Sequence, residues 1–268
     1  MTPLRPRAER GAALLIVLGG LALISALAAM ALSASTAPAT RAAVAIAQAQ
    51  ANRVAEAAAH RLIAALGRDD LRRVTPLDGT VISTQFFGAD IDISGQDMGG
   101  LIDINHASEP VLERLLALTG ADEAAGIAAQ WTARRDRSAG RRAFTVPEDA
   151  LAMLTDDQQR AARAALPHLT TWSGRDLIDP YVATAPALAA ISGISLEGAQ
   201  AFVAERTLTG RQVALPDAAD DSALAISDAR EVRLSIRATT PEGGRASLQV
   251  TVRIGRSARA PITILAWR

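Results

Sequence analysis

The feature that most constrains this chain is an apolar run close to its start. Between Ala12 and Leu32 there are 21 residues with no charged side chain, interrupted only by two glycines and one serine. As a helix this run is about 31 Å long, which matches the roughly 30 Å hydrocarbon core of a bilayer. The sequence therefore predicts a membrane-spanning helix over residues 12–32.

The charges around the run predict its orientation. Arg5, Arg7 and Arg10 precede it, and no charge follows until Arg41. Because basic flanks stay cytoplasmic, the chain after Leu32 is expected on the far side of the membrane, as a single-pass protein. A cleaved secretory signal is the alternative, but its apolar core usually has only about 7 to 15 residues.

Composition excludes several classes of function. The 28 basic and 28 acidic residues cancel, which argues against a dedicated polyanion binder. There is no cysteine, so packing rather than disulfides must stabilise the fold. The three histidines, His60, His106 and His168, have no nearby nucleophile or ligand cluster, so no enzymatic activity is expected.

A second helical pattern follows the apolar run. Pro38 should kink or interrupt the helix, because proline lacks a backbone N–H. Residues 39–66 then form an amphipathic helix ending before Gly67, so the N-terminal helix covers 12–66. Its small apolar residues recur every three or four positions and suit close packing on a sheet or a neighbouring helix. This packing stripe comprises Val44, Ala47, Ala51, Val54, Ala58 and Leu62.

Two segments alternate with a period of two residues. Residues 80–87 and 89–93 read as strands around Gly88, and residues 232–267 read as a three-strand antiparallel meander. Segments 67–100 and 210–268 can therefore form one small antiparallel sheet packed on the long helix. This is an α+β architecture with residues 101–209 as an insertion.

The insertion is mostly helical and contains an internal repeat. Leu101-Ile102-Asp103 recurs as Leu177-Ile178-Asp179, and each copy leads into two helices joined at a glycine, Gly120 or Gly193. Each copy looks like a helix-hairpin-helix unit.

Such units often bind nucleic-acid phosphates, so a membrane-anchored envelope protein that binds nucleic acid is the alternative function. The second turn, Gly193-Ile194-Ser195, lacks the usual second glycine, and the first places Asp122 and Glu123 where phosphate would approach. The only basic run, residues 134–142, is typical of a solvated loop. No nucleic-acid partner is expected.

Four aspartates raise the possibility of calcium. Asp90, Asp92, Asp97 and Asp103 are close in sequence, but their spacing matches no EF-hand loop. Alternating aspartates on a strand usually face water. No cofactor or metal is therefore assigned.

Taken together, the order of these features resembles type IV pilins and pseudopilins. A basic leader ending in glycine, an immediate spanning helix, an amphipathic continuation and a small sheet are their plan. The doubled helical insertion opening with residues 103–107 (DINHA), and the segment Ile264-Leu265-Ala266-Trp267, are similar to the minor pseudopilin K family of type II secretion systems. The resemblance implies a pilin-like fold and a non-enzymatic role at the tip of the pseudopilus, where the subunit helps initiate assembly for protein export across the outer membrane.

The resemblance also implies processing and partners. Prepilin peptidase would remove leader 1–11 by cutting after Gly11 and would methylate Ala12. Most relatives carry a glutamate where this chain has Ile16, and a lone carboxylate in hydrocarbon is costly unless an amine meets it. A subunit at the tip has no subunit ahead of it to supply that amine, so an apolar residue such as Ile16 is more favourable there than a glutamate. Partners would be other minor pseudopilins, contacted through the N-terminal helix, and the bulk of the chain would be periplasmic, anchored in the inner membrane.

The family often has an acidic, calcium-associated cluster after the tryptophan of its first helical repeat. Here Trp131 is followed by Thr132-Ala133-Arg134-Arg135, so no metal site is carried over.

Overall fold

The computed structural model describes residues 8–67, 76–138, 140–209, 213–215, 221–227, 230–255 and 262–268, without the side chains of residues 8–16, 31–39, 67 and 221. Within them the chain is an α+β protein with a long helix, an antiparallel sheet and a helical block. In chain order the elements are α1 (Ala8–Gly67), β1 (Asp78–Phe86), β2 (Ala89–Asp97), β3 (Ile102–Asp103), α2 (Glu109–Leu118), α3 (Ala124–Arg137), α4 (Asp156–Ala162), β4 (Leu169–Thr170), α5 (Ala185–Ser192), α6 (Leu196–Thr209), β5 (Glu231–Thr239), β6 (Arg245–Ile254) and β7 (Ile262–Trp267).

Helix α1 is a single element of 60 residues. It passes through Pro38 without a break, so the interruption predicted there does not occur. A proline inside a helix costs about 3 kcal/mol through one lost hydrogen bond and one clash, and this cost is local. The alanine-rich turns on either side have the highest helix propensity and continue the helix past it. Residues 1–7 of the predicted leader lie outside the described part of the chain.

The sheet joins the strands before and after the helical block. Its order is β1-β2-β5-β6-β7, and every neighbouring pair is antiparallel. Ile93 of β2 pairs with Ile236 of β5, which pairs with Leu248 of β6. The two alternating segments of the sequence therefore form one sheet, as predicted, although most of the chain between them lies elsewhere.

One face of the sheet packs on the second half of α1. Small side chains of the helix, Ala55, Ala58 and Ala59, meet the apolar rows of β5 and β6 in one buried cluster with Leu62 and Leu66. Alanines bring the helix backbone close to the sheet. At Gly244, in the turn between β5 and β6, an added Cβ would collide with the carbonyl oxygen of Ala47 and lie 2.9 Å from the nitrogen of Gln48.

The helical block has its own hydrophobic core. Helices α2 and α3 pack together as one pair and α5 and α6 as another, and α2 packs against α5. Leu112, Ile127, Trp131 and Leu188 are fully buried between them. Gly120 and Gly193, which join the helices of each pair, have positive φ angles of 90° and 76°.

The sequence repeat corresponds to a structural repeat. The buried Asp103 accepts a hydrogen bond from the backbone nitrogen of Asn105 at 2.9 Å, and the buried Asp179 accepts one from Tyr181 at 2.8 Å. Each aspartate therefore turns the chain into its helix pair in the same way. Whether these pairs act as helix-hairpin-helix units remains a prediction.

Candidate assembly surfaces

The predicted packing stripe lies mostly between α1 and the sheet. Ala47, Ala51, Ala58 and Leu62 are buried and Val54 is half-buried. Val44 differs, because it is 64% exposed. The turn between β5 and β6 reaches only as far as Ala47, and no described residue of the sheet or the helical block covers Val44.

The first half of α1 leaves many apolar side chains uncovered. Seven large ones between residues 17 and 30 are each more than half exposed: Val17, Leu18, Leu21, Leu23, Ile24, Leu27 and Met30. Nearer the sheet, Ile46 is also more than half exposed. Within the described residues, no helix combines the length and apolar character needed to cross a membrane.

The predicted processing residues Gly11, Ala12 and Ile16 lie in the first turns of α1. The side chains of Ala12 and Ile16, and those at both ends of the predicted span 12–32, lie outside the described part of the chain. Cleavage after Gly11, methylation of Ala12 and the role of Ile16 stay predictions.

A buried polar cluster, here called the junction, attaches the helical block to the sheet. Asp97, the last residue of β2, accepts hydrogen bonds from the nitrogen of Gly99 at 2.8 Å and from the hydroxyl of Ser227 at 3.1 Å. Asp179 accepts one from the nitrogen of Ser227 at 2.8 Å. The side-chain amide of Gln96 donates from Nε2 to the carbonyl oxygen of Val182 at 2.8 Å. The junction therefore connects the chain entering the block, the second repeat and the chain leaving the block.

Burial raises the pKa of one carboxyl group in the junction, that of Asp97. Asp97 is 1% exposed, and burial raises the pKa of its carboxyl to about 6, with a smaller contribution from the nearby Asp179. Hydrogen bonds from Gly99 and Ser227, and the charge of Arg175, lower this pKa only partly.

Two further contacts hold the block against the polar face of the sheet. Arg233 of β5 donates to the carbonyl of Pro167 at 2.9 Å. Arg268, just after β7, pairs with Glu148 at 3.0 Å. Both pairs are partly exposed, so they orient the block more than they stabilise it.

The end of β7 also contacts α1. The ring of Trp267 lies 5.2 Å from that of His60, centroid to centroid. His60 is otherwise exposed, as expected for a lone histidine among alanines.

The β1–β2 hairpin presents an unusual residue at its tip. Phe87 is 79% exposed and has a φ of 49°, the only positive φ among the described non-glycine residues. Its ring packs edge-on against Phe86, with centroids 4.4 Å apart.

The four aspartates proposed for calcium do not converge. Asp90 and Asp92 accept hydrogen bonds from Gln85 and Ser83 across the hairpin, while Asp97 and Asp103 are buried at separate places. Among the described residues no three acidic, histidine or cysteine side chains are grouped to hold a metal.

Sequence reasoning missed the junction and Phe87. Ser227 lies 130 residues after Asp97 in the chain and belongs to no recognisable sequence motif. The sequence predicts the hairpin around Gly88 but places Phe87 in its first strand, whereas β1 ends at Phe86 and Phe87-Gly88 forms a two-residue turn, where Asn-Gly is the usual choice.

The described residues define a class of fold: a long helix packed on an antiparallel sheet, with a helical block between the second and third strands of that sheet in chain order. No protein-family model and no curated protein matches the chain. A solved structure to which it is similar is the crystal structure of the GspK–GspI–GspJ complex of the type 2 secretion system from enterotoxigenic Escherichia coli. The match covers 82% of this chain and 95% of that chain, with 14% sequence identity and a TM-score of 0.49.

Proposed function

We propose that this chain is a minor pseudopilin of a type II secretion system that caps the tip of the pseudopilus. The observation that supports the proposal most is the division of α1. Its second half packs on the chain's own sheet, while its first half extends as a continuous helix with a large uncovered apolar surface. Exposed apolar surface of this size is expected to be covered by lipid or by partner helices.

The position of the helical block supports a location of this subunit at the tip of the pseudopilus. The β1–β2 and β5–β6 turns lie beside residues 47–57 of α1, toward its exposed half. The block leaves the sheet at Asp97, the other end of β2, and is held there by the junction. A subunit stacked ahead of this one would need the space that the block fills, so growth beyond it is obstructed.

Membrane insertion, processing and partners complete the proposal. Residues 12–32 would lie in the inner membrane after cleavage behind Gly11, with the sheet and block in the periplasm. Other minor pseudopilins would pack against the uncovered surface of α1, and Ile16 would need no amine from a subunit ahead. The role is structural, without a catalytic step.

The test is the mature N-terminus. The full chain should be co-expressed with prepilin peptidase, recovered from membranes and analysed by mass spectrometry. We expect a chain beginning at methylated Ala12. Gly11→Val should block cleavage and assembly, whereas Gly20→Val is the matched control for cleavage alone, because a Cβ at Gly20 meets nothing within 4 Å in this chain but lies on the surface proposed for partners. A mature chain beginning after residue 32, or export of cargo unaffected by Gly11→Val, would contradict the proposal.

A further inference from the structure

The basic run 134–142 is not confined to a solvated loop, as the sequence predicted: it begins in the last turn of α3, continues past the end of that helix and lines a groove. The basic groove, as we call it, is bordered by His106, Arg135, Asp136, Arg141 and Arg142. Three guanidinium groups thus face one carboxylate, in a chain whose total charge is zero.

A tight turn produces this grouping. Helix α3 ends at Arg137, and the nitrogen of Arg141 donates to the carbonyl of Ser138 at 2.9 Å. Gly140 has a φ of 79°, which glycine adopts without strain. The turn sends the chain back beside the last turns of α3, so that Arg141 and Arg142 come to the same groove as Arg135.

Two of the three guanidinium groups are held in place. Arg135 donates to the carbonyl of Ala107, and Arg142 lies over the ring of Trp172, 5.1 Å from its centroid. A guanidinium has five N–H donors, so each keeps several for a ligand. Within the described part of the chain, the guanidinium of Arg141 has no hydrogen bond or ion pair, so all its N–H donors are available to a ligand.

His106 is also anchored. Its Nδ1 lies 3.3 Å from Oδ1 of Asp103, whose other oxygen accepts from the nitrogen of Gly174 at 2.8 Å. This contact uses Nδ1 and leaves Nε2 for another partner. The opposing charge is Asp136, which is exposed and forms no ion pair with these arginines among the described residues.

We propose that the basic groove binds a phosphate group. Arginine presents paired donors that match two phosphate oxygens, and two of the three arginines are already oriented. A nucleic-acid strand fits less well, because it needs a longer basic track with exposed aromatic rings, and the ring of Trp172 is already covered by Arg142. The phosphate could be free in solution or part of a lipid headgroup. This site is independent of the pseudopilin proposal.

The test uses the full chain in a non-ionic, phosphate-free detergent. Inorganic phosphate is titrated against chloride at constant ionic strength, and binding is followed by ³¹P NMR line width and by tryptophan fluorescence, to which Trp172 contributes together with Trp131 and Trp267. Saturable binding is expected, weakened about tenfold by Arg141→Gln, as for one lost charge-assisted hydrogen bond. Arg137→Gln is the matched control, because Arg137 is exposed in the same segment but does not line the groove.

A second arm identifies the source of the phosphate. The detergent-held Arg141→Gln/Arg142→Gln and Arg137→Gln proteins are passed over beads coated with phosphatidic acid or with phosphatidylcholine, because a membrane-spanning segment would carry every variant into vesicles. Retention by phosphatidic acid that needs Arg141 and Arg142 supports a lipid headgroup, and binding of inorganic phosphate alone supports a soluble ligand. Three results would overturn the proposal: no saturation above the chloride control, equal effects of Arg141→Gln and Arg137→Gln, or tighter arginine-dependent binding of a single-stranded oligonucleotide.

Discussion

At the residue scale, Asp97 is a buried carboxyl group whose ionisation is less favourable in the folded chain than in the unfolded chain. Its carboxyl pKa rises from 3.8 to about 6 in the folded chain, mainly through burial. The folded state therefore favours the protonated acid more than the unfolded state does. The stabilising effect is complete below pH 3.8 and is lost as the pH rises toward about 6.

Asp97→Asn should remove this dependence. The amide keeps an acceptor oxygen for Gly99 and Ser227 but has no charge to bury. A shift of about two pKa units corresponds to about 3 kcal/mol, which sets the upper limit of the expected gain in unfolding free energy at neutral pH. The gain should shrink toward pH 4.

Denaturant unfolding of both proteins across this pH range measures the difference. Asp90→Asn is the control, since Asp90 lies on the same strand but is exposed. If Asp97→Asn and wild type differ by the same amount at every pH, the assignment of the titration to Asp97 is wrong.

At the element scale, the contact between α1 and the sheet depends on small residues. Gly244→Ala would push the β5–β6 turn away from Ala47, because the new Cβ overlaps a backbone carbonyl that cannot move aside. We expect a loss of about 1–3 kcal/mol of unfolding free energy, as for other overpacked sites.

Gly126→Ala is the paired comparison for that substitution. Gly126 lies in α3 with nothing within 4 Å of an added Cβ, so alanine should stabilise the helix by up to about 1 kcal/mol. Thermal melts of the two variants should move in opposite directions. A Gly244→Ala protein at least as stable as wild type would show that the turn can retreat from α1 without cost.

The elements that the sequence predicted are those with strong periodicity. The spacing of Ala47 through Leu62 indicated the buried face of α1, and the alternation around Ile236 indicated a sheet strand. Val44 follows the same spacing but is exposed, because periodicity does not say where the covering sheet ends. The junction depends on Asp97 and Ser227 meeting across the whole block, which no local pattern encodes.

At the scale of the whole molecule, the helical block is inserted into a β-hairpin. Asp97 of β2 pairs directly with Val232 of β5, so the chain leaves the sheet and returns to it on neighbouring strands. A short turn should therefore be able to replace residues 99–229.

We expect the excised protein to keep α1 and all five strands, because the cluster between them contains no residue of the block. The measurement is hydrogen exchange of the β5 and β6 amides, compared with the intact chain. Export of cargo should fail if the block is needed at the tip. Exchange-unprotected β5 amides would mean that the block is required for the sheet to fold.

The direct pairing of β2 with β5 also bears on how such proteins diversify. Since the chain leaves and re-enters the sheet on neighbouring strands, inserted domains of very different size could be exchanged between β2 and β5 while α1 and the sheet stay unchanged. Related chains are then expected to differ most between these two strands, and to tolerate foreign domains grafted there.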